Sequence, residues 1–438
     1  MNTTIMLFTR DLRVHDNPAL AAACASGTVV PIFVWDTAIL DGPFAVPNRL
    51  HFIGEALTDL RASLRARGGD LIVRTGDPAT EVGRIAEATG ARAVHLADDR
   101  STHARRRLAA LRRLPLAVHA HPGTTVVPPG ALTPAGGDHY RVFTPYWRAW
   151  TAAGRRPIAG TPDKVLLPPG LSPGEIKVPG GPGSPGRAPG GEGAARDRLE
   201  AWLSGGAARY DDDRDRLAVP GTSMLSAALR FGCVSPVEVA DRAEDHPGFV
   251  RQLAWRDFHY QVAAAFPDLA TRDYRDREEP WRDDPEALAA WCEGRTGHPI
   301  VDAGMRQLLH EGFMHNRARM ITASFLTRNL RIDWRHGYRH FNSLLTDGDV
   351  ANNAGNWQWT AGTGNNTSPN RVMNPLRQAA RFDPDGSYVR RWIPEIAALE
   401  QPYLHEPWRT PAALRRNLSY PPPIVDPDDL KRPGAFTQ

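Results

Sequence analysis

A change in hydrophobic periodicity divides this chain of 438 residues into two parts that cannot share one architecture. In the first part, short apolar or β-branched runs alternate with amphipathic segments such as Leu50–Arg67 and Pro78–Thr89. After Ala194, apolar residues recur at helical spacing almost to the end of the chain. Alternating strands and helices are typical of a doubly wound parallel sheet. The pattern therefore predicts an N-terminal α/β domain with a Rossmann-like sheet, followed by an all-α domain.

Polar side chains stand where several of the predicted strands end. The predicted strands are Thr4–Phe8, Val29–Trp35, Leu71–Arg74, Ala93–Ala97 and Leu116–His119. Their carboxyl ends include Thr9-Arg10-Asp11, Trp35-Asp36 and Asp98-Asp99-Arg100. Ligands of doubly wound sheets bind at this edge. We therefore expect a ligand site at these strand ends.

Proline and glycine crowd the segment between about Pro122 and Gly193, most densely in the string VPGGPGSPGRAPGG. That string matches G-x-G-x-x-G at Gly181, Gly183 and Gly186, but a dinucleotide site needs a strand before the motif and a helix after it. Neither is predicted, so the string indicates low complexity. We predict an α/β domain over 1–125, an extended connector over 126–195, a helical domain over 196–420 and a tail over 421–438. The clearest helices of the helical domain are Phe249–Phe266 and Asp302–Asn329, the second broken near Gly312.

Composition limits the class of protein. An apolar fraction of 41% and a charged fraction of 23% are typical of a soluble globular chain. No apolar run approaches the ~18 residues of a membrane span, and the start of the chain lacks a basic leader, so we expect a cytoplasmic protein without membrane contact. The three cysteines, Cys24, Cys233 and Cys292, show no C-x-x-C spacing, which argues against disulfides and against a metal site.

The 53 basic residues include only three lysines, Lys164, Lys177 and Lys431. Codon bias explains an arginine excess of this kind. Arginine also grips phosphate with two parallel hydrogen bonds, so individual arginine clusters are candidates for nucleic-acid contacts.

Several strings of the helical part carry residues suited to binding. Pro220-Gly-Thr-Ser-Met-Leu-Ser226 places hydroxyl and backbone N–H groups at a predicted helix start, either as a phosphate cradle or as an ordinary N-cap. Gln252, Trp255 and Arg256 share one face of a helix, so that an amide, an indole and a guanidinium could bind and stack on a nucleobase.

Further along the chain, Asn316, Arg319 and Met320 again lie at helical spacing. Asp347 and Asp349 precede Asn353, Trp357 and Trp359. No histidine or cysteine lies at ligand spacing from the two carboxylates, so we predict no metal. Any single tryptophan is more often a core residue than a functional one.

Together these strings resemble the DNA photolyase and cryptochrome family over nearly the whole chain. The strings that carry the resemblance, in family order, are FTRDLRVHDNPAL, PGTSMLS, WRDF, GHPIVDAGMRQL, MHNRARMITASFL, IDWRHG, DGDVANNAGNWQW and RRWIPE. The spacing of Trp281, Trp334 and Trp357 also resembles the family's tryptophan relay, which carries electrons inward from the surface.

The resemblance implies an antenna domain joined to a helical domain that holds FAD. The residues implied to contact the flavin are Tyr210, Thr222, Ser223, Met224, Leu225, Ser226, Arg256, Arg319, Asp347, Asp349 and Asn353. Asn353 would face the N5 edge, where an asparagine has no proton to transfer, which favours an anionic reduced flavin. The implied activity is light-driven repair: an electron from reduced FAD splits a cyclobutane pyrimidine dimer flipped out of the DNA.

The repair pocket implied by the resemblance is lined by Gln252, Trp255, Asn316, Met320 and Trp359. The familiar cyclobutane-dimer enzymes typically have glutamate at the position of Gln252, whereas enzymes that repair the (6-4) photoproduct typically have glutamine. The (6-4) enzymes also have a His-His pair where this chain has His315-Asn316. We therefore keep the cyclobutane dimer as the expected substrate and the (6-4) photoproduct as an alternative.

The resemblance also suggests an antenna pigment and a DNA surface. Arg49 and Asp99 resemble a site for 8-hydroxy-deazaflavin more than one for methenyltetrahydrofolate, although a salt-bridged loop would look similar. Phosphate contacts to ultraviolet-damaged DNA, double- or single-stranded, are assigned to Arg317, Arg371, Arg390 and Arg391. We expect a monomer.

Two other functions remain open at this point. The first is a cryptochrome-like blue-light receptor that uses the same flavin and relay but signals to a partner. The tail beyond Tyr420 is short for that role, and Trp255, Asn316 and Trp359 favour repair. The second sets the resemblance aside: an α/β nucleotide-binding module fused to a helical binder of single-stranded DNA.

Overall fold

The computed structural model describes residues 2–277, 280–416 and 418–431, without the side chains of Leu414 and Lys431. Residues 432–438 of the predicted tail lie outside this part of the chain. Within the described residues, no helix is long and apolar enough to cross a membrane.

The N-terminal part forms one parallel sheet, as the sequence predicts. Its strands are β1 (Asn2–Phe8), β2 (Gly27–Asp36), β3 (Ile72–Gly76), β4 (Ala93–Ala97) and β5 (Ala117–His121). The strand order is β3-β2-β1-β4-β5, so the order reverses beside β1, where the chain passes from one half of the sheet to the other. The carboxyl ends of β1, β2 and β4 therefore meet at one edge, which is the usual ligand-binding edge of such sheets.

Helices cover both faces of this sheet. They are α1 (Pro18–Ala25), α2 (Thr37–Leu40), α3 (Pro47–Arg65), α4 (Pro78–Thr89) and α5 (Thr102–Leu111). Val82 and Leu111 pack with Leu7 on one face. On the other face, Phe8 and Phe52 belong to an apolar core that continues into the C-terminal domain without a break. The two domains therefore share a core.

The connector contains a helix that the sequence pattern did not predict. Helix α6 (Phe143–Ala152) buries Phe143, Tyr146 and Trp150, which lie at spacings of three and four residues on one face. Because proline and glycine residues surround this short apolar stripe, hydrophobic periodicity alone does not predict the helix. Residues 181–186 carry no regular structure before or after them that a dinucleotide site would need, which confirms the interpretation of that string.

The C-terminal part is helical, as predicted. Its α-helices are α7 (Glu192–Ala201), α8 (Tyr210–Asp213), α9 (Ser226–Phe231), α10 (Pro236–Arg242), α11 (Pro247–Ala265), α12 (Pro285–Cys292), α13 (Pro299–Glu311), α14 (Asn316–Ser324), α15 (Trp334–Leu344), α16 (Val350–Ala361), α17 (Pro375–Phe382), α18 (Ser387–Trp392) and α19 (Ala412–Arg415). Shorter 3-10 or π turns span Trp202–Gly206, Ala207–Arg209, Phe325–Asn329, Pro394–Ile396, Pro407–Arg409 and Asp429–Lys431. The predicted break near Gly312 is confirmed, because this glycine ends α13 with a φ of +58°.

Candidate functional site

Three helices that pack together carry the predicted repair pocket. Helix α16 packs against both α11 and α14. Gln252 and Trp255 lie on α11, Asn316 and Met320 on α14, and Trp359 on α16; Asn316 is exposed and the other four are half-buried. Partial exposure of aromatic and amide groups on three adjoining helices is the arrangement that a pocket open to solvent requires.

The local contacts of these side chains leave most of their polar groups available. The Nε2 atom of Gln252 donates to the Gly248 carbonyl one turn earlier, at 3.3 Å. The Nδ2 atom of Asn316 stands 3.9 Å from the Met320 sulfur. The indole of Trp255 stacks on Phe143 of the connector helix, with ring centroids 3.7 Å apart and planes inclined by 7°. The wall of the predicted pocket thus includes the connector helix as well as the helical domain.

The segment before α9 has the features of a phosphate cradle. The predicted helix start is confirmed, since α9 begins at Ser226; among the described residues, no side chain caps this helix. Met224 adopts a φ of +54°, a conformation that non-glycine residues adopt only under constraint. Thr222 and Ser223 are half-buried and Leu225 is buried. Free N–H groups beside hydroxyls are well suited to bind a dinucleotide phosphate.

Arg319 and Asp347 form an ion pair with a buried oxygen that is free to bind a ligand. The Nη2 atom of Arg319 lies 2.8 Å from Oδ2 of Asp347. The other oxygen, Oδ1, is buried without a hydrogen-bond partner among the described residues, as is the Thr346 hydroxyl next to it. Buried polar atoms are rarely left unpaired in a native fold. A ligand with donors on its ring edge, such as the isoalloxazine of FAD, fits this position.

Asn353 and Tyr210 occupy settings compatible with their predicted roles. Asn353 is half-buried on α16, and its Nδ2 atom has only a long contact of 3.5 Å to the Tyr338 carbonyl. Tyr210 is buried beside Trp202 and Phe249, with ring centroids 5.8 and 5.5 Å away. Their contacts to the flavin stay predictions.

Two further residues predicted to contact the flavin already have protein partners. The guanidinium of Arg256 donates to the carbonyls of Thr124, at 2.7 Å, and Leu229, at 3.1 Å. Asp349 caps α16 by accepting from the Asn352 N–H, at 3.0 Å. These two side chains therefore fix the chain around the site, and direct flavin contacts by them remain untested predictions.

Asp349 is also the centre of an ion-pair network between the domains. Its Oδ2 atom accepts from Arg10, at 2.9 Å, and from the Tyr260 hydroxyl, at 2.7 Å. Arg10 pairs at the same time with Asp99 at the end of β4, at 3.1 Å. Burial by itself would raise the pKa of Asp349, but Arg10 and Arg230 bring it well below its ordinary value. The two arginines therefore keep this carboxylate in its ionised form.

Two of the predicted relay tryptophans lie on the adjoining helices α15 and α16, and the third lies in the segment that precedes α12. Trp357 and Trp334 are buried, whereas Trp281 is half-buried. Helices α15 and α16 pack at Gly337, whose missing side chain leaves room for the Trp357 ring. The Trp334 indole donates to Asp273, at 2.9 Å. The backbone bond from Arg282 to Arg331, at 2.7 Å, holds the Trp281 segment beside the turn that precedes Trp334. Of the three, Trp281 is the most exposed, as the outermost residue of a relay to the surface must be.

The two predicted antenna residues have different surroundings. Asp99 stands at the strand ends, where Arg10 pairs with it. Arg49 instead reaches into the helical domain, where its Nη1 atom donates to the Leu345 carbonyl at 2.8 Å. Burial and the nearby Arg230 lower the pKa of Arg49 to about 9. Arg49 therefore supports the segment that precedes Asp347, whatever else it binds.

The four predicted phosphate contacts separate into two pairs. Arg371 is exposed and has no side-chain partner among the described residues, and the Arg391 side chain is 67% exposed beside Glu311. The Arg317 side chain is only 15% exposed and pairs with Asp215 at 2.8 Å. Arg390 donates to the Ala397 carbonyl. Arg371 and Arg391 are therefore exposed enough to contact DNA. The DNA contacts of Arg317 and Arg390 stay predictions.

Sequence reasoning did not single out several residues that organise the site. Arg10 was visible only as part of a strand end, because its partner Asp349 is hundreds of residues away. Phe143 lay in a segment without clear periodicity. Asp257 accepts three hydrogen bonds from the connector, at 2.9 to 3.0 Å, from the N–H groups of Val126 and Val127 and from the Trp150 indole. A buried acid within an otherwise apolar helix stripe was the available signal for Asp257.

Comparison with known proteins agrees with this geometry. Residues 4–164 match the family model described as DNA photolyase, and residues 249–433 match the FAD binding domain of DNA photolyase. The chain is 50% identical to a deoxyribodipyrimidine photo-lyase of Streptomyces griseus, over 97% of each chain.

Solved structures give the same result. A class III photolyase from Agrobacterium tumefaciens has a TM-score of 0.90 and 34% identity, covering 98% of this chain and 96% of its own. A Synechocystis cryptochrome has a TM-score of 0.90 and 29% identity, covering 98% of each chain. A Sulfolobus tokodaii photolyase, described with two FAD molecules, has a TM-score of 0.87 and 28% identity, covering 98% of each chain. This chain belongs to the DNA photolyase family.

Proposed function

We propose that this chain is a deoxyribodipyrimidine photo-lyase, which uses light and FAD to split cyclobutane pyrimidine dimers in DNA. The observation that carries the proposal is the packing of α16 against α11 and α14, which together carry two half-buried tryptophans and the amides of Gln252 and Asn316. The relatives named photo-lyase support the chemistry. We further propose that the chain works as a monomer in the cytoplasm.

The residues that would hold FAD are the hydroxyls of Thr222, Ser223 and Ser226 for its phosphates, and Arg319 with Asp347 for its ring edge. When bound and reduced, the flavin supplies the electron that light transfers to the lesion. Asn353 offers that ring an amide, which can form hydrogen bonds but holds no transferable proton. The absence of an acid there favours an anionic reduced ring.

The pocket residues would bind and orient the lesion. Trp255 and Trp359 provide flat apolar walls for the pyrimidine pair, and Asn316 and Gln252 offer amides to its polar edges. Because a glutamine is neutral, Gln252 can donate and accept hydrogen bonds but cannot add negative charge or a proton. We expect this substitution for glutamate to reduce repair efficiency without changing the substrate.

The decisive experiment is illumination of the reduced, FAD-loaded protein with an oligonucleotide that contains a cyclobutane dimer. We expect the dimer to disappear under blue light and to persist in the dark, while a (6-4) photoproduct treated in parallel remains. If only the (6-4) photoproduct disappears, that lesion becomes the proposed substrate. If both lesions survive although the flavin is bound and reduced, the cryptochrome-like receptor becomes the better function.

For the antenna we propose 8-hydroxy-deazaflavin, bound at the carboxyl ends of the strands near Asp99. Support comes from the strand order, which reverses beside β1, and from Arg10, which pairs with both Asp99 and Asp349 of the helical domain. Methenyltetrahydrofolate and a second flavin are the other pigments to consider, the latter because the Sulfolobus relative is described with two FAD molecules.

The exposed arginines lead to a prediction about salt. Replacing Arg371 by glutamine is expected to weaken binding of damaged and undamaged DNA alike and to reduce the slope of log K against log salt by about 1, because one phosphate contact is lost. The matched control is Arg84→Gln, an exposed arginine on α4 that already pairs with Glu81 and is not a predicted DNA contact. Equal slopes for wild type and Arg371→Gln would remove Arg371 from the DNA surface.

A further inference from the structure

We propose that Phe143, on the connector helix α6, is a positioning residue for the lesion: it holds the Trp255 indole flat and immobile for the flipped dimer. This inference rests on the repair function proposed above and adds to it a residue of the connector. The connector would then take part in substrate recognition and would not serve only as a spacer between the domains.

The contact between the two rings is closer and flatter than ordinary aromatic packing. The ring centroids of Phe143 and Trp255 are 3.7 Å apart and their planes are inclined by 7°. Isolated aromatic rings prefer offset or edge-to-face contacts, with centroids about 4.5 to 7 Å apart. The surrounding structure must therefore impose the face-to-face stack. One face of the indole is covered by Phe143, so a ligand can contact only the remainder.

Phe143 is itself fixed in place by its neighbours. It is buried, with 5% of its surface exposed. The edge of Phe258 packs against it at 5.8 Å and 87°, and Trp147 lies parallel to it at 6.5 Å. The exposed Arg251 guanidinium stands 5.4 Å from its centroid. The ring is therefore packed on several sides, and this packing restrains the Trp255 indole that stacks on it.

Asp257 anchors the whole of α6 to the helix that carries Trp255. The Trp150 indole of α6 donates to the Asp257 carboxylate at 3.0 Å. Asp257 lies two residues after Trp255 on α11, about 3 Å further along the helix axis. This hydrogen bond therefore fixes the position of α6 along α11, close to the stacked rings.

A fixed wall lowers the cost of binding a flipped lesion. A half-exposed tryptophan that is free to rotate must be ordered when a ligand stacks on it, and ordering one such side chain weakens binding by a measurable factor. Phe143 removes that cost before the DNA arrives. The effect should fall on affinity for the lesion, since undamaged duplex DNA does not enter the pocket.

The test compares Phe143→Leu, which keeps an apolar side chain but removes the flat ring, with Phe143→Tyr, which keeps the ring. The FAD-loaded proteins are titrated with a dimer-containing oligonucleotide and with its undamaged counterpart. We expect Phe143→Leu to bind the dimer about threefold to tenfold more weakly, with unchanged affinity for undamaged DNA. Phe143→Tyr should restore the preference. The repair rate at saturating substrate should change little, because Phe143 acts on KM and not on the chemical step.

Phe52→Leu provides the matched control. Phe52 is a 2% exposed phenylalanine of α3, in the antenna domain, so its replacement tests for a general effect of core loosening. If Phe143→Leu keeps the full wild-type preference for the dimer, or if Phe52→Leu loses it equally, the positioning role is overturned. A wild-type protein that binds both oligonucleotides equally would overturn the proposed function and this inference with it.

Discussion

Light-driven reduction of the bound flavin is expected to slow by more than an order of magnitude when Trp357 is replaced by phenylalanine. Trp357 is buried and lies against Gly337 of the helix that starts at Trp334, so its loss would interrupt the predicted relay at its innermost step. Phenylalanine fills most of the space but is much harder to oxidise. The rate is measured from the bleaching of oxidised flavin absorption under blue light with an external electron donor.

Two further measurements separate the relay from general damage to the core. Repair by Trp357→Phe should return when the flavin is reduced chemically, because the relay is needed only to reload the flavin. Trp291→Phe is the matched control: Trp291 is fully buried and touches Trp357, with ring centroids 6.0 Å apart, but it is not part of the predicted relay. If Trp291→Phe slows photoreduction and Trp334→Phe does not, the predicted path is wrong.

Replacement of Asp257 by alanine is expected to lower the free energy of unfolding by about 3 to 5 kcal/mol, because three N–H donors lose their acceptor inside the protein. The donors are the backbone N–H groups of Val126 and Val127 and the Trp150 indole, all of which bond to Oδ2 of Asp257. Guanidinium unfolding of the FAD-loaded protein, followed by circular dichroism at pH 8, measures the effect. Asp257→Asn is the matched control, since its amide oxygen can still accept these bonds, and it should lose far less stability. Equal stability of wild type and Asp257→Ala would show that water replaces the carboxylate.

Wild type and Asp257→Asn should also differ in how their free energy of unfolding depends on pH. Burial, only partly offset by Arg256, raises the pKa of Asp257 to about 6. The folded state therefore binds this proton more tightly than the unfolded state does. The corresponding stability is fully present below pH about 4 and is lost as the pH rises through about 6, an effect of about 3 kcal/mol. Asp257→Asn lacks this titration, so its stability relative to wild type should rise over that window. A constant difference across the window would contradict the raised pKa.

Local patterns predicted the elements of the fold well. The five strands, the helix at Pro247–Ala265 and the break at Gly312 were all visible in the sequence, because side-chain periodicity and glycine conformation act within a few residues. Helix α6 was not predicted, because its three buried aromatic residues form a stripe only a few residues long. Its stability comes from packing against α11, which no local pattern records.

The candidate site shows the same division. The sequence identified Gln252, Trp255, Asn316, Met320 and Trp359, through helical spacing and resemblance to a family, and the helices that carry them do pack together. The partners of Arg256 and Asp349 could not be predicted. These charged residues could have faced a ligand or the protein, and only the neighbouring elements determine which partner is within reach.

The sequence by itself determined the two-part architecture, the family and the identity of the residues available for the chemistry, because these depend on side-chain types and short spacings. The tertiary structure alone decided that Arg10 links Asp99 to Asp349, that Asp257 anchors the connector, and that Phe143 covers one face of Trp255. Each of these contacts joins residues more than 80 positions apart in the chain. Such contacts form only when burial of the shared core brings distant segments within a few ångströms of each other.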